Sequence, residues 1–259
     1  MDLAILDGTV QPASTATISI RDEGLLRGDG VFEVMRLYAG VPYALEEHLE
    51  RMARSAANLR LELSPIDVRA DIETLLAEAG PIDAALRILV TRGGRRIGLI
   101  EPIRELPATL ALATVAFAPT RVMDGVKSLS YAANMLTRRL AQEHGADDAL
   151  LLTPHGRILE APTASFFAVL DGALVTPPLS DHILDSITRR KVLAVSDARE
   201  QVLTRDDLPR LEEAFLASTL QDAHPVHAVD GTTLPAAPGP RTTEVAEAVR
   251  AAVRIELAA

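Results

Sequence analysis

Residues Gly125–Tyr131 read GVKSLSY, and the Lys127 within them is one of only two lysines in a chain that carries 26 basic residues. Every other cation is arginine. A guanidinium stays protonated at any working pH and is no use as an amine nucleophile, whereas a lysine can lose its proton and form a Schiff base with a carbonyl compound. Position 127 is therefore a candidate covalent anchor. The fold follows from whether the flanking sequence supplies what a carbonyl cofactor needs.

Bulk properties narrow the field. At 259 residues, 48% of them apolar, the chain is long enough for two modest domains or one large one, each with a core. Its longest apolar runs are too short for a bilayer, and the Met1-Asp2 start has no basic segment, so neither a membrane helix nor a signal peptide is expected and the reading is a soluble cytoplasmic protein. Zero cysteines exclude disulfides, thiolate zinc sites and cysteine nucleophiles. A formal charge of −10 and a pI near 5.1 argue against a nucleic-acid partner. An anionic small ligand would need locally placed cations.

Outward from the lysine, the N-terminal side opens in β-structure. LAILDGTV and TATISI have strand composition, with Asp7-Gly8 as a hairpin signal, and VFEVMRLYAGVPYAL repeats the pattern around Ala39-Gly40. LEEHLERMARSAANLRLEL spaces Leu45, Leu49, Met52 and Ala56 as an amphipathic helix. SPIDVRADIETLLAEAG predicts another, with Ser64 as N-cap, Pro65 at the first position and Gly80 as the stop. AALRILVTRGG and ATLALATVAFA form a second β set. The domain expectation is 1–118, a connector over 119–124, and 125–259. On the C-terminal side, SYAANMLTRRLAQEHG predicts a helix, DDALLLTPHGRILEA and SFFAVLDGALVTPP strands turned at His155-Gly156 and Asp171-Gly172, and DSITRRKVLAVSDARE a helix. EEAFLASTLQDAHPV follows as a strand running into a Ser-Thr loop, and TEVAEAVRAAVRIEL closes the chain as a helix. Two α+β halves result, without the βαβ alternation of a doubly wound dinucleotide fold. Gly28-Asp29-Gly30 likewise lacks the third glycine of a dinucleotide loop.

Pyridoxal 5′-phosphate needs an amine, a carboxylate that keeps its ring nitrogen protonated, and cations and amides for its phosphate. Glu160 ends an apolar strand in GRILEAPTASFF, as a ring-nitrogen partner or as a solvated strand-end acid. Thr188 opens a helix whose free N–H groups suit a phosphate, although Asp185 or Ser186 could cap it with no ligand. Ser218 and Thr219 in LASTLQ can donate to the same anion, and Arg51 in HLER carries a bidentate fork.

The order RGDGVFE, HLERM, Lys127, Glu160 with a following hairpin, and ILDSITR resembles the class IV pyridoxal-phosphate aminotransferases, fold type IV, over about residues 20 to 225. That family includes branched-chain and D-amino acid aminotransferases, (R)-selective amine transaminases and aminodeoxychorismate lyases. The resemblance implies an α+β, two-domain fold with a smaller N-terminal α/β domain and a larger C-terminal domain built on a β-barrel-like sheet, assembled as a homodimer. It implies Lys127 as Schiff-base lysine and proton shuttle, and Glu160 at the pyridine nitrogen. Arg51, Ile187, Thr188 and Thr219 would hold the phosphate with Ser218 beside them, Leu184 would pack on the ring, and Tyr131 would bond the ring oxygen or serve as a core tyrosine.

The reaction so implied moves an amino group between an amino acid or amine and a 2-oxo acid. Loss of pyruvate from 4-amino-4-deoxychorismate, in p-aminobenzoate and folate synthesis, is an alternative from the same machinery, and cofactor binding without turnover is a second. Ala161 and Ser165 depart from the family's E-G-x-x-S-N, Ser186 replaces its usual Gly, and Ser130 its usual Asn. Phe32 and Glu33 in GDGVFE follow the aminotransferase form, one that many lyases share, and Arg92, Arg95 and Arg96 in VTRGGRR could clamp a substrate carboxylate or form a solvated hairpin tip. His224 and His227 in HPVH have metal-compatible spacing but no third ligand nearby, so no metal is expected.

Overall fold

The computed structural model describes residues 2–258, and the chain divides into two compact units. The first runs up to Arg104 and takes in Gly125–Tyr131; the second comprises Glu105–Asp124 and the residues from Ala132 onward.

Among the described residues, the first unit builds one antiparallel six-stranded sheet under two helices. Its elements are β1 (Ala4–Leu6), β2 (Thr9–Gln11), α1 (Glu23–Arg27), β3 (Gly30–Tyr38), β4 (Val41–Pro42), α2 (Leu45–Asn58), α3 (Pro65–Ala79), β5 (Ala84–Thr91) and β6 (Arg96–Glu101). The strand order is β2-β1-β6-β5-β3-β4. Asp7-Gly8 and Ala39-Gly40 turn with φ positive at both positions, the backbone that a two-residue hairpin of this twist requires. Alternation on β3 sends Val31, Met35 and Leu37 into the core with Leu49 and Met52 of α2 and Ile72 and Leu75 of α3. Ser64 caps α3 through Asp67 N–H, with Pro65 at its first turn, as the sequence indicates.

The second unit contains β7 (Leu110–Ala116), α4 (Ala132–Glu143), β8 (Asp148–Leu152), β9 (Ser165–Leu170), β10 (Ala173–Thr176), α5 (Ile187–Val195), β11 (Arg199–Glu200), β12 (Leu211–Ser218), β13 (Asp222–Val229), β14 (Thr232–Thr233) and α6 (Pro240–Leu257). Its mixed eight-stranded sheet runs β11-β10-β9-β12-β13-β7-β8, with β14 beside β13. Phe166, Leu150 and Leu216 fill one side, and Leu151, Leu159 and Ala141 of α4 the other. Phe167 and Phe215, partners in the β9–β12 register, stack at 5.0 Å. α6 packs on β12 and β13 and is capped from the sheet. The buried Glu213 carboxylate accepts Arg241 N–H (3.1 Å), Thr242 N–H (2.8 Å) and the Thr242 hydroxyl (2.8 Å).

Three expectations change. TATISI is not a strand: Pro12 cannot donate to a ladder, its carbonyl closes a turn with Thr15 and Ala16, and Ile20 stays 80% exposed. RIGLIE, of which only Arg96 falls in the VTRGGRR loop of the sequence reading, is β6. Its Gly98 lets the strand pass Ile5, whose Cγ2 would lie 2.6 Å from an added Cβ. The boundary also moves, because β7 pairs in parallel with β8 and β13 and so carries 105–124 into the second unit, while 125–131 pairs with β3 in the first.

Candidate active site

In the first unit, β3 and α2 set the environment of Lys127. Three backbone hydrogen bonds fix the lysine's segment: Lys127 N–H to Ser55 Oγ (3.1 Å), Phe32 N–H to Lys127 O (3.1 Å), and Leu129 N–H to Gly30 O (2.9 Å). Glycine is required at position 30, since a Cβ there would meet Val90 O at 2.5 Å and the Leu129 side chain at 2.6 Å. Lys127 Nζ lies 4.4 Å from the Phe32 ring centroid and 5.7 Å from that of Tyr131, and the two rings meet edge to face at 5.2 Å. An ammonium over aromatic faces is attracted by the ring quadrupole. Arg87 flanks the same Phe32 ring at 5.8 Å and pairs with Glu101 at 2.8 Å.

Behind this cluster lies a buried polar stripe. His48, Arg51 and Ser55 share one face of α2 at helical spacing, and all three are buried. Opposite them, Glu33 takes a core position on β3 in line with Val31 and Met35. Its carboxylate grips Arg51 bidentately, Nε to Oε1 at 2.7 Å and Nη2 to Oε2 at 2.6 Å, and meets His48 Nδ1 at 2.7 Å. Burial works against the Glu33 charge, but the hydrogen bonds and charge of Arg51, aided by His48, hold its pKa down to about 2. Burial pushes His48 down, helped by the charges of Arg51 and Lys127 and opposed by Glu33. A neutral imidazole therefore donates through Nδ1–H to Oε2.

The second unit holds Glu160 and the candidate residues of α5 and the β12 end. Residues 157–160 run beside β8, with Leu159 N–H to Leu151 O at 2.8 Å and Leu151 N–H to Glu160 O at 2.9 Å, which fixes the Glu160 backbone against β8 although the segment forms only isolated bridges and no strand of its own. Its Oε1 accepts Leu184 N–H at 3.0 Å, so Leu184 holds the acid through its main chain. Ala161 suits its site because its φ is not left-handed, and an Ala161 N–H to Ala164 O bond of 2.9 Å closes the turn. Ser186 is the N-cap of α5 at φ −74°, accepting Arg189 N–H through its side chain, so glycine is not required there either. The Ile187 and Thr188 N–H groups occupy the first two helical positions, ahead of the first intrahelical bond. Arg189, 1% exposed, anchors the helix start to Pro177 O (2.8 Å) and Glu200 (2.6 Å). α5 packs on β12, which ends in Ser218 and leads into Thr219. Ser165, paired with Ala217 next to Ser218, has a buried hydroxyl with no hydrogen-bond partner among the described residues.

The remaining candidates disperse. Arg92 bonds Asp29 (2.6 Å) and the carbonyls of Leu59 and Arg60, Arg95 pairs with Asp7 (2.5 Å), and Arg96 pairs with Asp71 (2.7 Å). They pin the β5–β6 turn and do not gather as a carboxylate clamp. His224 Nε2 meets Pro107 O and His227 Nδ1 meets Thr109, separately. Sequence reading passed over Glu33 and His48 as partners of Arg51, as well as Ser55 and Arg87. A carboxylate inside the Val31–Leu37 alternation, and an arginine inside AALRILVT, were the available signals.

The class IV aminotransferase profile matches residues 30–229. A Methanocaldococcus jannaschii protein provisionally named a branched-chain-amino-acid aminotransferase is 32% identical over 88% of each chain. The D-alanine aminotransferase of Bacillus licheniformis is 28% identical over 98% of each. Among solved structures, the branched-chain aminotransferase of Thermoproteus uzoniensis with norvaline superposes with a TM-score of 0.89 at 27% identity, covering 98% of this chain and 95% of its own. The chain belongs to the class IV aminotransferases. It is a pyridoxal-phosphate-dependent aminotransferase of fold type IV, and its relatives are named for amino-group transfer, which favours that reaction over pyruvate elimination and over binding without turnover. Taken unit by unit, the residues present fit the cofactor: the first unit carries an amine, and the second a pinned carboxylate, a helix start with two N–H groups ahead of its ladder, and a buried hydroxyl without a hydrogen-bond partner among the described residues. No helix among the described residues is long and apolar enough to cross a membrane.

Proposed function

We propose that Lys127 carries the cofactor covalently and shuttles the substrate proton, with Glu160 at the pyridine nitrogen. Arg51, Ile187, Thr188, Ser218 and Thr219 hold the phosphate, and Tyr131 bonds the ring oxygen. The cofactor, when bound, supplies an electron-withdrawing ring that stabilises negative charge at the substrate's α-carbon. Freed when a substrate amine displaces it, Lys127 Nζ would accept the substrate α-proton and hold it for return. Glu160 keeps the pyridine nitrogen protonated, and the Leu184 N–H keeps that carboxylate aimed. Phe32 and Tyr131 wall the amine with apolar surface and restrict water there.

The observation that carries this reading is the Lys127 amine at 4.4 Å over Phe32 on a backbone secured by three hydrogen bonds. For the substrates, we infer an aliphatic or small amino acid as donor and a 2-oxo acid as acceptor, in keeping with relatives named for branched-chain amino acids and D-alanine. Arg87, flanking Phe32, is the carboxylate-binding cation we assign in place of the turn arginines. Adding L-leucine or D-alanine to the holoenzyme should convert its absorbance to that of the pyridoxamine form, and 2-oxoglutarate should reverse it. Borohydride fixation should label the peptide containing Lys127. Silence with every amino donor, or a label elsewhere, would reject the assignment.

We also infer a homodimer acting in the cytoplasm. Ile20, Leu25 and Leu26 stand 58–80% exposed along one short segment, apolar surface that a second copy can cover. Light scattering at single-chain mass would reject the dimer. Recovery of the native protein from a membrane or secreted fraction would reject the compartment.

A further inference from the structure

We propose that Glu33, braced by His48, is a positioning residue for the cofactor's phosphate, acting by fixing the fork of Arg51. This rests on the reading of Arg51 as a phosphate ligand and goes beyond it by naming what aims the ligand. A carboxylate among Val31, Met35 and Leu37 is costly to bury, and packing alone would be served at least as well by an apolar residue. What the carboxylate adds is geometry. It takes the Nε–Nη2 edge of the guanidinium with two bonds at 2.7 and 2.6 Å, which leaves a rotamer-rich side chain one orientation. His48, 0% exposed, holds Oε2 from the other side at 2.7 Å, so the carboxylate cannot rotate away.

The alternative role for Glu33 is to neutralise a buried arginine, and it predicts the opposite effect on anion binding. With the carboxylate gone, a neutralising model leaves Arg51 more positive and the phosphate held more tightly. The positioning model leaves Arg51 mobile and the phosphate held less tightly.

The test titrates the full-length protein, stripped of cofactor, with pyridoxal 5′-phosphate and separately with pyridoxal, which lacks the phosphate. The ratio of the two dissociation constants reads the phosphate grip alone. E33Q should shrink that ratio roughly tenfold, the scale of re-immobilising one long side chain, with pyridoxal affinity within about twofold of wild type. H48N should shrink it less, and E33D should fall between E33Q and wild type. A ratio that is unchanged or increased in soluble E33Q overturns the proposal; if E33Q does not fold, E33D and H48N decide by the same criterion. R51Q separates the two layers, because an unchanged ratio there removes Arg51 from the phosphate, whereas a collapsed ratio in R51Q with an intact one in E33Q rejects only the positioning role.

Discussion

Replacing Glu213 by alanine tests how β12 and α6 are joined. Three donors converge on this carboxylate, two from Thr242, which is 1% exposed and has no route to solvent without local opening. A buried donor left without a partner costs about 1–3 kcal/mol, and loss of a helix N-cap about 0.5–2 kcal/mol. Releasing the desolvated carboxylate recovers part of this, so the net expectation is about 3 kcal/mol. At roughly 2–4 °C per kcal/mol for a chain of this size, the melting temperature should fall by roughly 6–12 °C. Differential scanning calorimetry reads it directly, and if the units melt separately the shift belongs to the transition of the second. E213Q keeps one acceptor oxygen and should lose about half as much. T242V removes a donor together with its need for a partner and should cost about 1 kcal/mol. The reasoning is refuted if E213A melts within about 1 °C of wild type, or if T242V is as damaging as E213A.

Other expectations are quicker to state. Lys127→Arg keeps a cation over Phe32 but should abolish borohydride labelling and turnover; retained turnover would remove Lys127 from the chemistry. Because the Glu33 pKa is depressed from its ordinary 4.5 to about 2, its contribution of about 3 kcal/mol is present above pH 4.5 and lost as pH falls toward 2. E33Q should therefore give a flatter acid-side stability curve in urea titrations across that window. Arg87→Ala should raise the KM for amino acids by about tenfold, a loss of roughly 1.4 kcal/mol of carboxylate binding, and Arg92→Ala should leave it unchanged. Gly93→Ala should lower the melting temperature, since its Cβ would lie 2.3 Å from Asp22 Oδ2 and break the Asp22–Thr91 bond; an unchanged melting temperature would show that the turn absorbs the methyl.

Local chemistry made most of the fold legible. Turn dipeptides fixed the hairpins, and Ser64, Pro65 and Gly80 bounded α3, because each acts through its own backbone conformation. TATISI misled because alternation reports only that one face is apolar, and Ile20 on that face stays 80% exposed. β6 was hidden by Gly98, whose role is a close approach to Ile5 from a strand distant in sequence. The order of HLERM, Lys127, Glu160 and ILDSITR, through its resemblance to the class IV aminotransferases, was enough for the family and its cofactor. Glu33, His48 and Arg51 lay in plain view as ordinary charged residues. Only pairing β3 against α2 turns them into one buried network, and a linear reading holds no register between a strand and a helix. The turn arginines erred the other way: their Asp partners come from positions 7, 29 and 71.

The chain passes between its two units three times, after Arg104, Asp124 and Tyr131. No single cut yields either unit as a continuous polypeptide. During synthesis the N-terminal sheet cannot receive the lysine-bearing segment until β7 has left the ribosome, and β7 must wait longer for β8 and β13. Splitting the gene at the midpoint would strand β7 apart from both of its neighbours, so complementation by fragments should be attempted only with pieces that overlap through residue 131.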